Sequence, residues 1–349
     1  MMPRLIKLFV SHAKTFSPGY AILEVRIYID IRLSGMTGKT ISSRLLRKKT
    51  AYIMAWLDKQ FSTTLKRYQA VKPASKTAQP NAPIWTCWWQ GEKNAPPTVQ
   101  NCWDSIRRQA PDHPLIILNR QNYTQYCTFP EEIRHKFDLD LISPQLMSDY
   151  VRTTLLAQHG GLWVDATIFA DKPIPELVFN LPIFNVKGIR DDYPLANRVA
   201  DAKDWQVYFI ASHPHSATYS FISACLTQYW LRFSTPIDYY LTYYLAKLAR
   251  EKLAGAQAEY KEIPNNNMQV EMLEPYLRDC DSEMRIRSSE WRADDTFIYK
   301  LSWRTTYPAR NSQGAESLSA QLLRGECSLC DIQGQPSSGS TTTQPRSSD

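Results

Sequence analysis

The sequence predicts an α/β protein: a mixed, mostly parallel sheet flanked by helices, preceded by an N-terminal helical arm. Three observations lead there. Between Ile84 and Leu118 an apolar strand, a helix and a second apolar strand follow one another at the spacing of a βαβ unit, which implies parallel strands. Between Ser148 and Phe169 a helical period gives way, across Gly160-Gly161, to an apolar, β-branched and aromatic run of buried-strand length. The third is a change of composition near residue 83, where a Pro-rich, polar stretch separates a basic N-terminal part from the rest.

A chain of 349 residues has room for one large domain with appendages and a substantial core. Residues 1–83 read as a basic arm, helix and linker, 84–310 as the sheet-bearing domain, and 311–349 as a C-terminal low-complexity tail. The 10 Trp and 19 Tyr fit a folded protein, and such rings serve carbohydrate sites as readily as cores. Net charge is +7, and the excess belongs to the arm: residues 1–76 hold fifteen Lys and Arg against Glu24, Asp30 and Asp58. No helix-turn-helix, zinc-finger or RNA-recognition signature accompanies these charges, so no nucleic-acid partner is expected. An anionic membrane surface suits them better, with a plain solvated basic helix as the alternative. Seven irregularly spaced cysteines do not resemble a disulfide framework and fit a reducing compartment. Cys327-Ser328-Leu329-Cys330 lacks the second ligand pair that zinc needs and is read as unstructured or incidental. No run reaches the length of a membrane span and no secretory leader is evident, so the expected location is cytoplasmic, with peripheral attachment to the inner face of the membrane open.

In chain order, Leu23 to Leu33 alternate apolar with polar, the period of a half-buried strand. Thr40 to Tyr68 is helical in period, with basic residues between the apolar ones; it either packs on the domain or lies on a membrane or partner. Val71 to Pro83 is linker. Ile84 to Trp89 opens the sheet, Gln90 to Asn94 leaves it as a loop, Pro96 to Gln109 is a helix and Leu115 to Leu118 the next strand. A helix near Pro130 to Phe137 follows. In the helix beyond it Met147, Val151, Thr154, Leu155 and Gln158 recur at helical spacing, and Asp149 and Arg152, three residues apart, share one flank. Gly160-Gly161 caps it, and Leu162 to Phe169 is a strand interrupted by one charge, Asp165. An ionised carboxylate in an apolar strand is costly unless it is paired or the strand ends at a site. Here two acids and a guanidinium converge where helix meets strand. Leu181 to Val186 and Gln206 to Ala211 read as further strands, Lys187 to Asp204 as a charged loop, and His213-Pro214-His215 as a helix N-terminal turn. Thr218 to Phe233 and Tyr239 to Leu253 are two aromatic-rich helices that either form an acceptor side or fill the core. Phe297 to Arg304 is the last chemical-looking stretch, and residues 331–349 read as disordered.

Ser148-Asp149-x-x-Arg152, then Leu, Gly160-Gly161, an aromatic and Asp165-x-Thr167 together resemble the donor-site segment of the capsular polysaccharide synthesis proteins, which belong with the DxD-motif glycosyltransferases that include α-mannosyltransferases and clostridial glucosylating toxins. Trp88-Trp89-Gln90-Gly91 and Lys300-Leu301-Ser302-Trp303 resemble the opening and closing motifs of the same family, so the likeness spans residues 84 to about 304. The resemblance implies a GT-A fold and a nucleotide-sugar dependent hexosyltransferase acting on a capsular or other surface polysaccharide or a lipid-linked glycan. Asp149, Arg152 and Asp165 would be catalytic, the first two holding donor hydroxyls. Trp88, Trp89, Gln90, Gly91, Lys300, Ser302 and Trp303 would hold the nucleotide-sugar, with Lys300 against its diphosphate. Asp165 and Thr167 occupy the DxD positions, where Mn²⁺ or Mg²⁺ would be held; Thr167 replaces the second Asp, and a hard cation prefers several oxygen ligands. Two other readings stand beside the enzyme: a non-catalytic glycan- or partner-binding component of a polysaccharide assembly complex, and sugar-phosphate transfer from the same kind of donor.

Overall fold

The computed structural model describes residues 2–37, 42–190, 202–289 and 295–334. Four helices come first: α1 (Met2–Thr15), α2 (Pro18–Thr37), α3 (Ser43–Gln60) and α4 (Ser62–Tyr68). The domain proper runs β1 (Ile84–Cys87), α5 (Pro97–Gln109), β2 (Leu115–Leu118), α6 (Glu131–Asp138), α7 (Pro144–His159), β3 (Gly161–Val164), β4 (Ile168–Ala170), α8 (Leu177–Asn180), β5 (Ile183–Asn185) and β6 (Phe209–Ser212). It continues with α9 (Ala217–Arg232), α10 (Leu241–Lys252), α11 (Ala254–Lys261), α12 (Leu273–Leu277), α13 (Ser282–Ser288), β7 (Ile298–Lys300), α14 (Leu318–Arg324) and α15 (Leu329–Gly334).

Five strands form one mixed sheet in the order β2-β1-β3-β6-β5. Its first half is parallel: β1 pairs with β2, as the βαβ spacing predicts, and on its other side with β3; β6 and β5 then continue it antiparallel. A two-stranded antiparallel sheet, β4 with β7, lies apart from it. The run read as one strand from Leu162 to Phe169 is therefore two strands in two sheets, broken at Asp165 to Thr167. A buried strand cannot carry a carboxylate through its middle without partners, and the chain turns where the charge falls.

The double glycine has a steric cause. Gly160 and Gly161 have φ of +68° and +88°, and a Cβ on Gly161 would lie 2.3 Å from the Pro83 carbonyl oxygen. That oxygen accepts the Leu162 amide at 2.9 Å, joining the start of β3 to the residue before β1. Helix α7 is buried along Tyr150 to Ala157, sandwiched between the sheet and α9.

The arm is helical throughout its described part, and the expected strand over residues 23–33 is instead the middle of α2. A lone strand there would have no neighbour for its backbone groups, whereas a helix satisfies its own. The two-residue alternation spreads apolar side chains all round that helix: Tyr20, Ala21 and Ile27 are buried, while Ile22, Ile29 and Leu33 are about half exposed. Tyr20 stacks on Tyr52 of α3 and donates its hydroxyl to the Ile237 carbonyl at 2.6 Å. Lys49 pairs with both Glu24 and Asp238. Ile53, Leu57, Phe61 and Leu65 join the main core, so the segment Thr40 to Tyr68 packs on the domain, within its described residues.

The linker is an extended strap tied at several points. Glu259, fully buried on α11, accepts the Ala74, Ala217 and Thr218 amides and the Thr218 hydroxyl at 2.7 to 2.9 Å, fastening the strap to the first turn of α9. At the other end of the chain, residues 318–334 are not a loose tail. Leu318, Leu322, Leu329 and Ile332 build a second core with Phe169, Tyr299 and Leu301, and the buried Leu329 places the Cys-x-x-Cys segment against it. The expected disorder concerns mainly residues 335–349, which lie outside the described residues, as do 191–201 of the charged loop. Among the described residues no helix is long and apolar enough to cross a membrane.

Candidate active site

The carboxyl ends of β1 and β3 face one region, the usual ligand edge of such sheets. Ser143 caps α7 by accepting the Leu146 amide, with Pro144 at the first helical position, and this fixes the turn that carries Asp149 and Arg152. Asp165 is the first residue beyond β3, and its amide is held by the Tyr208 carbonyl at 2.8 Å. Lys300 comes from β7, opposite Ile168 in the small sheet.

These four side chains form a row of alternating charge. Arg152 Nη2 lies 3.2 Å from Asp149 Oδ1 and its Nη1 3.3 Å from Asp165 Oδ1. Lys300 Nζ lies 3.1 Å from Asp165 Oδ2 and donates to Thr167 Oγ1 at 2.9 Å. Trp163 donates its indole N–H to Asp165 Oδ1 at 3.0 Å, and its ring lies beneath the Arg152 guanidinium, 5.0 Å away. Arg152 also donates to the Val207 and Ser148 carbonyls. Its side chain is almost wholly buried, whereas Asp149, Asp165 and Lys300 keep about a fifth to a quarter of their surface open. The row thus has a fixed centre and reachable flanks.

The electrostatics separate the two acids. Burial raises the Asp149 carboxyl to about 6, against the pull of Arg152 and with a further push from Asp165. Burial also acts on Asp165, but Lys300 and Arg152 together outweigh it and hold that group below the ordinary aspartate value. Arg152 is held above its usual range, its burial outweighed by the two carboxylates.

The two aromatic motifs divide. Trp88, half-buried, meets Trp303 edge-on with centroids 5.7 Å apart, and Trp88 also packs against the cluster of Ala95, Val99, Trp103 and Ala166. Ala166 lies between Asp165 and Thr167, so this pair of indoles borders the charged row. Trp89 departs from its expected place against the donor: it is buried against Tyr123 and Phe137, and its N–H is committed to the Pro144 carbonyl and the Ser148 hydroxyl. It steadies the first turn of α7 and presents no free face to a ligand. Gln90 has an exposed side chain, and Gly91 takes φ +87° with open space where a Cβ would stand. Ser302 builds a turn: its hydroxyl accepts the Arg304 amide and its own amide donates to the Tyr307 hydroxyl. Tyr239, well exposed, is a neighbour that motif spacing alone does not single out; the Asp149 charge acts on its hydroxyl. The clue was the tyrosine-rich start of the helix over Tyr239 to Leu253.

A divalent cation at Asp165 and Thr167 is not matched by the residues present. Magnesium and manganese take oxygen ligands, several of them anionic. Here Asp165 offers a carboxylate but Thr167 only a hydroxyl, and both Asp165 oxygens already face cationic or N–H donors. Among the described residues the one group of three potential ligands at metal spacing is Asp279-Cys280-Asp281. There Asp279 pairs with Arg285, and Asp281 accepts from Ser312.

The chain is similar to the O-glycosyltransferase braB of Annulohypoxylon truncatum, 27% identical over 148 residues that make up 40% of this chain and 32% of that protein. It thus spans about a third of the length of that relative. Among solved structures, the one titled PaToxG Glycosyltransferase aligns with 62% of this chain and 83% of its own at 10% identity and a TM-score of 0.36, too slight a likeness to argue from. The family model described as capsular polysaccharide synthesis protein matches residues 34–321, most of the described fold and the whole charged row, and the chain belongs to that family.

Proposed function

We propose that this chain is a GT-A glycosyltransferase that moves a hexose-type sugar from a nucleotide-sugar onto a surface polysaccharide or a lipid-linked glycan. The observation that carries the reading is the row Asp149, Arg152, Asp165 and Lys300 at the carboxyl edge of β1 and β3. An ordinary structural ion pair needs two residues. Four, alternating in sign and drawn from α7, the residue after β3, and β7, make a surface suited to a ligand with both hydroxyls and a diphosphate.

In this reading Asp149 accepts hydroxyls of the donor sugar and orients the anomeric carbon, while Arg152 holds Asp149 and Asp165 in place. Lys300 meets the diphosphate as the bond between anomeric carbon and phosphate oxygen breaks. Trp88 and Trp303 supply an aromatic border for the nucleoside, and Gly91 lets backbone approach it closely. Tyr239 lies on the acceptor side. A panel of nucleotide-sugars tests the reading by thermal shift on wild type and on Asp165→Ala. One donor is expected to stabilise wild type and not the variant; the absence of any shift in a well-folded wild type would sink the proposal.

The arm suits an anionic bilayer. Ile22, Ile29 and Leu33 share one face of α2, with Ile6 and Val10 of α1 also exposed, among many basic residues. Apolar side chains entering the headgroup boundary and cations on its surface are how a helix pair lies in an interface. A lipid-linked acceptor would be met there.

A further inference from the structure

Lys300 Nζ stands between the first and third residues of Asp165-Ala166-Thr167, 3.1 Å from Asp165 Oδ2 and 2.9 Å from Thr167 Oγ1. It thus occupies the two side-chain oxygens that the motif would offer to a cation. The main chain fixes the placement: the Lys300 amide donates to the Val270 carbonyl and the Leu301 amide to the Thr167 carbonyl, both at 2.8 Å. The side chain therefore springs from a strand pinned on both sides.

Charge points the same way. Asp149 and Asp165 are matched by Arg152 and Lys300, so the row is formally neutral without any ion. A dication added beside Lys300 and Arg152 would meet like charge in a partly buried place, where screening is weak. A second Asp at position 167 would have left a negative excess for a dication to balance. Thr167 instead offers a neutral acceptor, which suits an ammonium. Thr167 and Lys300 are complementary departures from a metal-binding pair of carboxylates.

We infer that Lys300 takes the place of a divalent cation: with Arg152 behind Asp165, its ammonium binds the donor's diphosphate and offsets the charge it gains on leaving. This rests on the nucleotide-sugar reading above. In the transfer, the bond from anomeric carbon to phosphate oxygen breaks with its electron pair going to the diphosphate. The acceptor oxygen bonds to that carbon, and the acceptor's proton passes to water or to the diphosphate. Lys300 keeps its proton throughout and acts as charge alone.

Two measurements decide it. Titration of Mn²⁺ alone, followed by electron paramagnetic resonance, is expected to give no wild-type binding that Asp165→Asn removes. The double variant Lys300→Ala/Thr167→Asp is expected to gain such binding. Calorimetry with uridine and guanosine diphosphate in EDTA is expected to show one of them binding wild type, with Mn²⁺ changing its affinity by less than about twofold. Lys300→Ala should weaken it about 10- to 100-fold and Lys300→Arg by less than about tenfold, as a charge-assisted contact is lost or kept. Should Lys300→Ala fail to fold, Lys300→Arg and the wild-type titrations settle the matter. Wild-type Mn²⁺ binding that is lost in Asp165→Asn overturns the inference and leaves the donor reading standing. So does diphosphate binding that is about tenfold or more tighter with Mn²⁺ than in EDTA. If neither diphosphate binds with or without Mn²⁺, the donor reading falls and this inference falls with it.

Discussion

Asp149 and Arg152 touch at 3.2 Å one helical turn apart, yet the aspartate holds its proton more tightly than a free one: its carboxyl is raised to about 6 although a guanidinium adjoins it, because burial costs the ion more than the pair returns. The folded state therefore binds a proton that the unfolded state has already released. Stability falls as pH rises from about 4 to about 6 and is flat above, by about 2 to 3 kcal/mol from this group. Asp171, also raised to about 6 by burial, adds to the same slope. Urea denaturation across this range should be shallower in pH for Asp149→Asn than for wild type. Transfer should rise with pH through about 6, as Asp149 gains the charge that lets it accept from sugar hydroxyls without donating.

Asp165→Asn leaves Arg152 and Lys300 facing each other without the anion between them. A loss of about 2 kcal/mol is expected, below the usual cost of breaking a fully buried pair because Asp165 is partly open to water. Sugar transfer should drop by about a hundredfold or more. Equilibrium unfolding and initial rates measure the two separately; a variant with full activity would remove Asp165 from the site.

Gly161→Ala meets the Pro83 carbonyl oxygen, and at φ +88° the backbone is unfavourable for alanine as well. A cost of about 3 kcal/mol or more follows. Denaturant midpoints check it, and a near-neutral result would show that the junction of β1 and β3 can shift.

Glu259→Ala strips hydrogen bonds from three buried donors in the first turn of α9 and one part-buried donor in the strap. Stability should fall by about 3 kcal/mol or more, and limited proteolysis should cut between residues 69 and 83 sooner than in wild type.

Ile22→Glu with Ile29→Glu alters side chains that are about half exposed, so stability should change by no more than about 0.5 kcal/mol. Cosedimentation with anionic vesicles should fall about tenfold, while binding to neutral vesicles stays low for both proteins. Equal vesicle binding by wild type and variant would remove the bilayer from the role proposed for α2.

Much of this was legible in the sequence where a local signal had one physical meaning. Strand β2 lies where the apolar run Leu115 to Leu118 puts it, and Asp149 and Arg152 share a helix flank because spacing alone decides that. Signals with two meanings failed. Alternation over residues 23–33 reads as a strand when the apolar residues are assumed to share one buried face; in α2 they serve a packed face and an exposed one. Trp88 and Trp89 are indistinguishable as neighbours in sequence, and only the position of Ser148 and Pro144 sends Trp89 inward. Leu162 to Phe169 looked continuous because each half is apolar, and the charge at Asp165 marked the break. The packing of residues 318–334 had no local signature, since it depends on partners such as Phe169 and Tyr299 far away in the chain.

The pairing of Asp165 with Lys300 spans 135 residues, and the strand that delivers Lys300 is backed by helices later still. On the ribosome, Asp149, Arg152 and Asp165 emerge together and early, while their fourth member is among the last parts of the domain to be made. A nascent chain can fold much of its large sheet and still lack a complete row. The proposed site is then completed in one step, when β7 is made, rather than growing in along the way.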